Sequence, residues 1–224
     1  MTKLYLVRHG QTVGNVQRMW QGWMGGELTP LGVQQAQATA HHLAARGQTF
    51  DALYSSPLRR AWQTAQVVGR ALGLSPLAHE GLKEICFGEI EGMTWDEFAA
   101  RHPEVHRRWK DRGDLSFTWP GGESRAEFYR RARQAIEDIA AWHDGQSIVV
   151  VAHGGTLRAI LAHLFPAQLG QPWRHSLDNC SLTRVWLTPD GPQLLALNDQ
   201  SHLDGLTSGD TWVGASTLEA DADT

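Results

Sequence analysis

Cysteine is scarce in this chain, and that scarcity excludes two classes of protein at once. Cys86 and Cys180 are the whole complement. They are too few for a disulfide scaffold and match no metal-ligand spacing. Both read as reduced thiols in or near the core. Long apolar runs are missing too, and nothing approaches the roughly 18–20 residues a membrane helix needs. The N-terminus reaches Arg8 after only four apolar residues, which does not make a signal peptide. A cytoplasmic protein with no membrane partner is therefore expected. Basic charge is not in excess: a net charge of −4 argues against nucleic acid as a general partner, since that needs a basic surface. Three catalytic signatures are also absent. The chain has no G-x-x-x-x-G-K-S/T, no G-x-S-x-G and no H-E-x-x-H. A P-loop nucleotide enzyme, a nucleophile-elbow hydrolase and a zinc hydrolase of the H-E-x-x-H kind are set aside accordingly.

What is present is 224 residues with 42% hydrophobic content, enough for one α/β domain with a substantial core. Three strand-length apolar runs stand out: Leu4–Val7, Phe50–Tyr54 and Ser147–Ala152. Each ends at a polar or Gly-rich break, as buried parallel strands do. Helical patterns separate them. Thr29 and Pro30 are cap and first residue of one that runs to about Ala45. Others span Leu58–Leu72, Arg125–Trp142 with Ser124 as cap, and Gly155–Phe165. Further strands are expected at Leu182–Leu187 and Gln193–Asn198. This alternation predicts a three-layer α/β/α fold around a mainly parallel, doubly wound sheet with helices on both faces. Residues 1–204 form the expected domain, followed by a loosely ordered acidic tail over 205–224 that Trp212-Val213 could anchor.

In such sheets ligands bind beyond the carboxyl ends of the strands. Arg8-His9, Arg59-Arg60 and His153 each follow directly on a strand, so they should converge on one edge. Clustered arginines repel one another unless an anion sits among them, and guanidinium forks match phosphate oxygens in pairs. The amides of Gly10, Gly22 and Gly154 are candidate further donors. A neutral imidazole is a competent nucleophile near pH 7 if a hydrogen bond fixes its tautomer. The basic segment Arg101–Arg133 reads as solvated helix faces paired with Glu104, Asp111, Glu123, Glu127 and Glu137. The alternative is that one or two of its arginines reach an anionic substrate.

The residues Arg8-His9-Gly10-Gln11-Thr12, Asn15, Gln21-Gly22, Leu28-Thr29 with Gly32, and Ser55–Ala61 with Thr64-Ala65 form an ordered series. It continues through Leu82-Lys83-Glu84, Gly88, Glu91-Gly92, Pro120–Ser124 and Ala152–Gly155 with Leu157-Arg158. Over roughly residues 3–200 this series resembles the histidine phosphatase superfamily, which includes the cofactor-dependent phosphoglycerate mutases. The resemblance implies a phosphoglycerate mutase-like fold, no cofactor and no metal, and a small phosphorylated metabolite as partner. It makes His9 the phosphohistidine nucleophile, with Arg8, Arg60 and His153 on the phosphoryl group. Asn15, Gln21, Gly22 and Gly154 bind phosphate or substrate, Glu84 is the proton donor, and Arg59 is solvated. Many relatives carry an acidic and an apolar or proline residue where this chain has Gly25-Gly26-Glu27, so that loop, with Trp20, Trp23 and Met24, is expected to shape the cleft mouth.

The stretch from Glu84 to Pro120 lacks the extended basic insertion of the glycolytic mutases. Its Pro-Gly-Gly-Glu-Ser ending resembles the broad-specificity and metabolite phosphatases. Hydrolysis of small phosphomonoesters is the expected activity, with phosphoglycerate mutase as the alternative and a non-catalytic phosphometabolite-binding protein ranked below both. A homodimer is left open.

Overall fold

The computed structural model describes residues 1–111, 113–171 and 175–207. In chain order its elements are β1 (Thr2–Arg8), α1 (Val13–Val16), α2 (Pro30–Ala44), β2 (Ala52–Ser55), α3 (Arg59–Leu72), β3 (Leu77–Ala78), α4 (Trp95–Arg101), α5 (Pro103–Lys110), α6 (Arg125–Trp142), β4 (Ser147–Ala152), α7 (Gly154–Leu164), α8 (Pro166–Leu169), β5 (Leu182–Thr188) and β6 (Gly191–Asp199). Two 3-10 turns, Glu80–Leu82 and Gly88–Ile90, lie between β3 and α4.

The helices start where local chemistry tells them to. Thr29 accepts the Gly32 amide ahead of Pro30, and Ser124 and Glu127 cap α6 reciprocally. The strands form one six-stranded sheet in the order β3-β2-β4-β1-β5-β6. β3, β2, β4 and β1 are parallel to one another. β5 and β6 run antiparallel, so the sheet is mainly but not wholly parallel, as expected. No helix separates those two strands. The two-residue Pro189-Asp190 connection suits a hairpin, which only antiparallel strands permit.

Period-two alternation divides the core between the two faces of the sheet. Tyr5, Val7, Val149 and Val151 pack with α2 and α3 through Leu43, Ala61, Ala65 and Val68. Leu4, Leu6, Ile148 and Val150 pack with α6 and α7 through Ile136, Ile139, Leu157 and Ile160. This gives three layers.

The segment between β3 and α6 carries two helices, α4 and α5, that the apolar pattern did not reveal. The local signals were the Thr94/Glu97 capping box for α4 and Pro103 at the first position of α5. They close over an aromatic cluster centred on Trp20, which touches Phe87, Trp95, Phe98, Trp109 and Trp119. Trp20 is thus buried in the core instead of lining the mouth, whereas Trp23 and Met24 are exposed. Among the described residues no helix is long and apolar enough to cross a membrane. Of the expected tail, 208–224 lie outside the described residues, Trp212-Val213 included. Within 205–207, the Leu206 carbonyl accepts from Gln35 Nε2 at 2.8 Å.

Candidate active site

The register of the central strands assembles the site. β1 and β4 are parallel, with Val7 opposite Val151 and Arg8 opposite Ala152, so His9 and His153 leave the sheet side by side. Both continue the row that faces α3, where Arg60 stands in the first turn. The His9 and His153 ring centroids are 5.2 Å apart. The first turns of α3 and α7 contain no acidic residue, so their N-terminal dipoles add to a positive site.

His9 is buried, and its tautomer is set by its neighbours. Nδ1 lies 2.8 Å from the Gly10 carbonyl, which can only accept, so Nδ1 carries the proton. Nε2 is then the bare nitrogen, and Arg60 Nε donates to it at 3.3 Å. The loop is held from behind: Asn179 Nδ2 donates to the His9 carbonyl at 2.9 Å and the Cys180 amide to the Arg8 carbonyl at 3.0 Å. The Gly10 amide donates to Thr64 Oγ1 at 3.0 Å, so it is spent inside the protein instead of facing a ligand. A Cβ at Gly10 would run into the Gly32 carbonyl, which accounts for glycine there.

Arg60 is 1% exposed. Nη2 donates to the Gly22 carbonyl at 2.8 Å and Nη1 to the Met24 carbonyl at 3.1 Å. Burial pulls its pKa down to about 10, with Glu84 opposing and Arg8 reinforcing, so it remains cationic at neutral pH. Gly22 thus contributes its carbonyl, as a holder of Arg60. Its φ of +48° favours glycine, and a Cβ there would run into the Glu91 carboxylate. Arg59 lies outside the site, exposed and paired with Glu27.

His153 has no exposed surface. Its Nε2 is 2.8 Å from Ser56 Oγ, which itself accepts from the Leu58 amide. The Ser56 hydroxyl proton is therefore available to Nε2, leaving the ring proton on Nδ1. Among the described residues that buried nitrogen has no hydrogen-bond partner. A buried donor left so costs about 1–3 kcal/mol, which suits a position meant for a substrate oxygen. Arg8 Nη1 donates to the Leu177 carbonyl at 2.6 Å. Arg8 and Arg158 both flank Gly154. Burial brings the Arg158 pKa to about 10 as well, with Glu84 and Arg8 as its next electrostatic neighbours. Arg158 stands in the ordered series without an assigned role; one helical turn beyond Gly154, it belongs to the same positive wall.

Glu84 reaches the site from the loop after the first 3-10 turn. Its Oε2 accepts the Gly155 amide and its Oε1 the Ile85 amide, both at 3.0 Å. Asn15 and Gln21 sit on the other side of the His9 loop. Asn15 Oδ1 accepts from the Thr12 amide at 3.0 Å and lies 3.4 Å from Asn179 Nδ2. Gln21 Oε1 accepts from Thr12 Oγ1 at 2.9 Å. Ser56, Thr64, Asn179 and Arg158 complete the surroundings; Ser56, Thr64 and Arg158 stand in the ordered series without an assigned role, and Asn179 stands outside it. Among the described residues no three His, Cys, Asp or Glu side chains are grouped to hold a metal ion.

His9 and His153 are both held well below the 6.5 of a free imidazole, by burial first and by Arg60 next. The unfolded chain therefore takes up protons that the folded chain refuses. Stability from these groups is fully present above about pH 6.5 and is lost as pH falls toward the depressed folded values. His42, His79 and His202 are lowered too, chiefly by burial, and share the slope. Thermal denaturation should give a lower Tm at about pH 5.5 than at about pH 7.5, and His153→Asn should flatten the difference without abolishing it. A Tm independent of pH, or an unchanged slope in the variant, would contradict this.

Comparison with known proteins places this geometry. Residues 4–200 match the family "Histidine phosphatase superfamily (branch 1)". The chain is 33% identical to a metal-independent phosphoserine phosphatase of Arabidopsis thaliana, over 91% of this chain and 84% of that one. It is 38% identical to a bifunctional protein of Mycobacterium tuberculosis, covering 89% of this chain and only 54% of that longer protein. A phosphoserine phosphatase of Entamoeba histolytica, solved as a histidine-to-alanine variant with phosphoserine, superposes with a TM-score of 0.78 at 31% identity, over 91% of this chain and all of that one. The same enzyme has been solved with 3-phosphoglyceric acid, again with a TM-score of 0.78, at 32% identity and the same coverage. The chain belongs to the histidine phosphatase superfamily, branch 1.

Proposed function

We propose that this protein is a phosphatase that hydrolyses small phosphomonoesters through a phosphohistidine formed on His9. The observation that carries the reading is the pair of hydrogen bonds on the His9 ring. Nδ1 is tied to the Gly10 carbonyl, and bare Nε2 faces the cationic Arg60. Nε2 attacks phosphorus, the ester P–O bond breaks, and negative charge spreads over the phosphoryl oxygens. Arg8, Arg60 and the Nδ1–H of His153 stabilise that charge. Glu84 gives its proton to the departing alkoxide. Its carboxylate then takes a proton from the water that attacks the phosphohistidine, releasing phosphate and restoring the carboxylic acid.

The relatives that bind phosphoserine and 3-phosphoglyceric acid support small, acidic phosphomonoesters as the substrate class. Arg158 beside Arg8 supplies additional positive charge in keeping with such substrates. The test is phosphate release from a panel holding O-phosphoserine, 3-phosphoglycerate, sugar phosphates and an aryl phosphate. Release from at least one supports the reading. Failure with all of them, together with rapid conversion of 3-phosphoglycerate to 2-phosphoglycerate in the presence of catalytic bisphosphoglycerate, would make the protein a mutase instead.

Glu84→Gln should separate leaving groups. An alkyl phosphate needs a proton on its departing oxygen, so its kcat/KM should fall by about 10²–10³-fold, while a nitrophenyl phosphate should lose about tenfold or less. Equal losses for both substrates would remove the donor role.

A further inference from the structure

We infer that Arg131 and Glu123 are positioning residues for Glu84, forming a clamp that sets where its carboxyl stands relative to His9. This rests on the donor role proposed for Glu84 and extends it.

The segment that carries Glu84 has no sheet ladder to hold it; it runs irregularly between two short 3-10 turns. One guanidinium supplies three of its tethers, beside Trp23 Nε1 on the Glu84 carbonyl at 2.7 Å and Thr156 Oγ1 on the Lys83 carbonyl at 2.9 Å. Arg131 Nη1 donates to the carbonyls of Gly81 at 3.1 Å and Lys83 at 2.6 Å. Nη2 donates to the Glu84 carbonyl at 2.7 Å and to Glu123 Oε2 at 2.8 Å. Nε donates to Glu123 Oε1 at 2.6 Å. All five donors of the side chain are thereby used, and three of them fall on the four residues ending at Glu84.

Glu123 grips the other side. Its Oε2 accepts the Cys86 amide, and its own amide donates to the Cys86 carbonyl, both at 3.0 Å. The Glu89 amide bonds the Pro120 carbonyl at 2.9 Å. The Pro120–Ser124 motif thus holds the backbone just after Glu84, while Arg131 holds it up to Glu84. The pair is only 18% and 16% exposed, so it is screened far less than a surface pair. An ion pair serving stability alone would not need to collect three carbonyls of one loop. Arg131 had been read with its neighbours as part of a solvated helix face. Its guanidinium instead points under the loop and reaches the site only through the Glu84 main chain.

A displacement of about 1 Å in a catalytic group can cost on the order of 10²-fold in rate. Loosening the clamp should therefore act selectively on the step that needs the Glu84 proton. The experiment is the ratio of kcat/KM for nitrophenyl phosphate to that for an alkyl phosphate, which reports phosphoryl transfer to His9 alone. Arg131→Lys keeps the charge but cannot bridge the carbonyls, and should raise that ratio by about tenfold or more. Adding Arg131→Lys to Glu84→Gln should change the ratio by less than about twofold, because the group being positioned is already gone.

Equal slowing of both substrates by Arg131→Lys, or full additivity with Glu84→Gln, would overturn the clamp. A ratio shifted by Glu84→Gln but not by Arg131→Lys defeats the clamp alone. A ratio unmoved by Glu84→Gln defeats the donor reading beneath it. Inhibition by inorganic phosphate, retained within about threefold, shows that the His9 side of the site is intact. If Arg131→Lys does not fold, Glu123→Gln serves in its place. It keeps a hydrogen-bonding partner for Arg131 and Cys86, and should move the ratio in the same direction by a smaller factor; no movement counts against the clamp.

Discussion

Replacing His9 by alanine should bring turnover of an aryl phosphate down by about 10⁴-fold or more, because the atom that bonds to phosphorus is gone and no neighbour can replace it. The neighbouring imidazole, His153, has its ring centroid 5.2 Å away and its Nε2 occupied by Ser56. The cationic part of the site survives the change: Arg60 keeps its bonds to the Gly22 and Met24 carbonyls, and Arg8 its bond to the Leu177 carbonyl. Phosphate should therefore still bind, with an inhibition constant within about tenfold of the original. The wild-type protein quenched during turnover should carry an acid-labile phosphoryl group that His9→Ala lacks. Substantial activity in the variant, or a phosphoenzyme formed without His9, would mean that another residue is the nucleophile.

The second large effect is expected at Arg60, and it should have the opposite signature. Arg60→Ala removes a buried cation that donates to the proposed nucleophile, His9, and that in the proposed reaction faces the oxygens on which charge develops. Loss of such a preorganised donor costs about 10²–10³-fold in rate. Because Arg60 also serves the ground-state anion, binding of inorganic phosphate should weaken by about tenfold or more, unlike in His9→Ala. Arg60→Lys should recover little. One ammonium cannot bond the Gly22 carbonyl, the Met24 carbonyl and His9 Nε2 together, whereas the planar fork of arginine does. Steady-state kinetics with phosphate as competitive inhibitor decides the matter; a loss below about threefold in kcat/KM would remove Arg60 from the phosphoryl site.

Much of this site was legible because its parts lie at strand ends. Leu4–Val7 and Ser147–Ala152 announce buried strands by their apolar runs, the first followed by Arg8-His9 and the second directly by His153. Helix α6 began and ended where Ser124 and Trp142 suggested, since capping is a local interaction between residues three apart. Glu84 was different. It stands in a loop with no periodic signal, and only its place in an ordered series of family residues marked it out. The aromatic cluster around Trp20 was illegible for a related reason. Its rings come from residues spread over 20–119, and nothing local says that a tryptophan beside Gln21-Gly22 faces inward instead of outward.

The sequence by itself determined the alternating strands and helices, the α/β class, and the chemical types meeting at one sheet edge: histidine, arginine and glycine. These follow from hydrophobic period and backbone preference, which act over a few residues. Tertiary structure alone decided the rest. It inserted β4 between β2 and β1, placing His153 against His9 across 144 positions of chain. It turned β5 and β6 antiparallel, fixed the His9 tautomer through Gly10 and Arg60, spent the Gly10 amide on Thr64, and brought Arg131 under Glu84. Each of these depends on strand register and on hydrogen bonds between residues distant in sequence, whose energies exist only once the chain is packed.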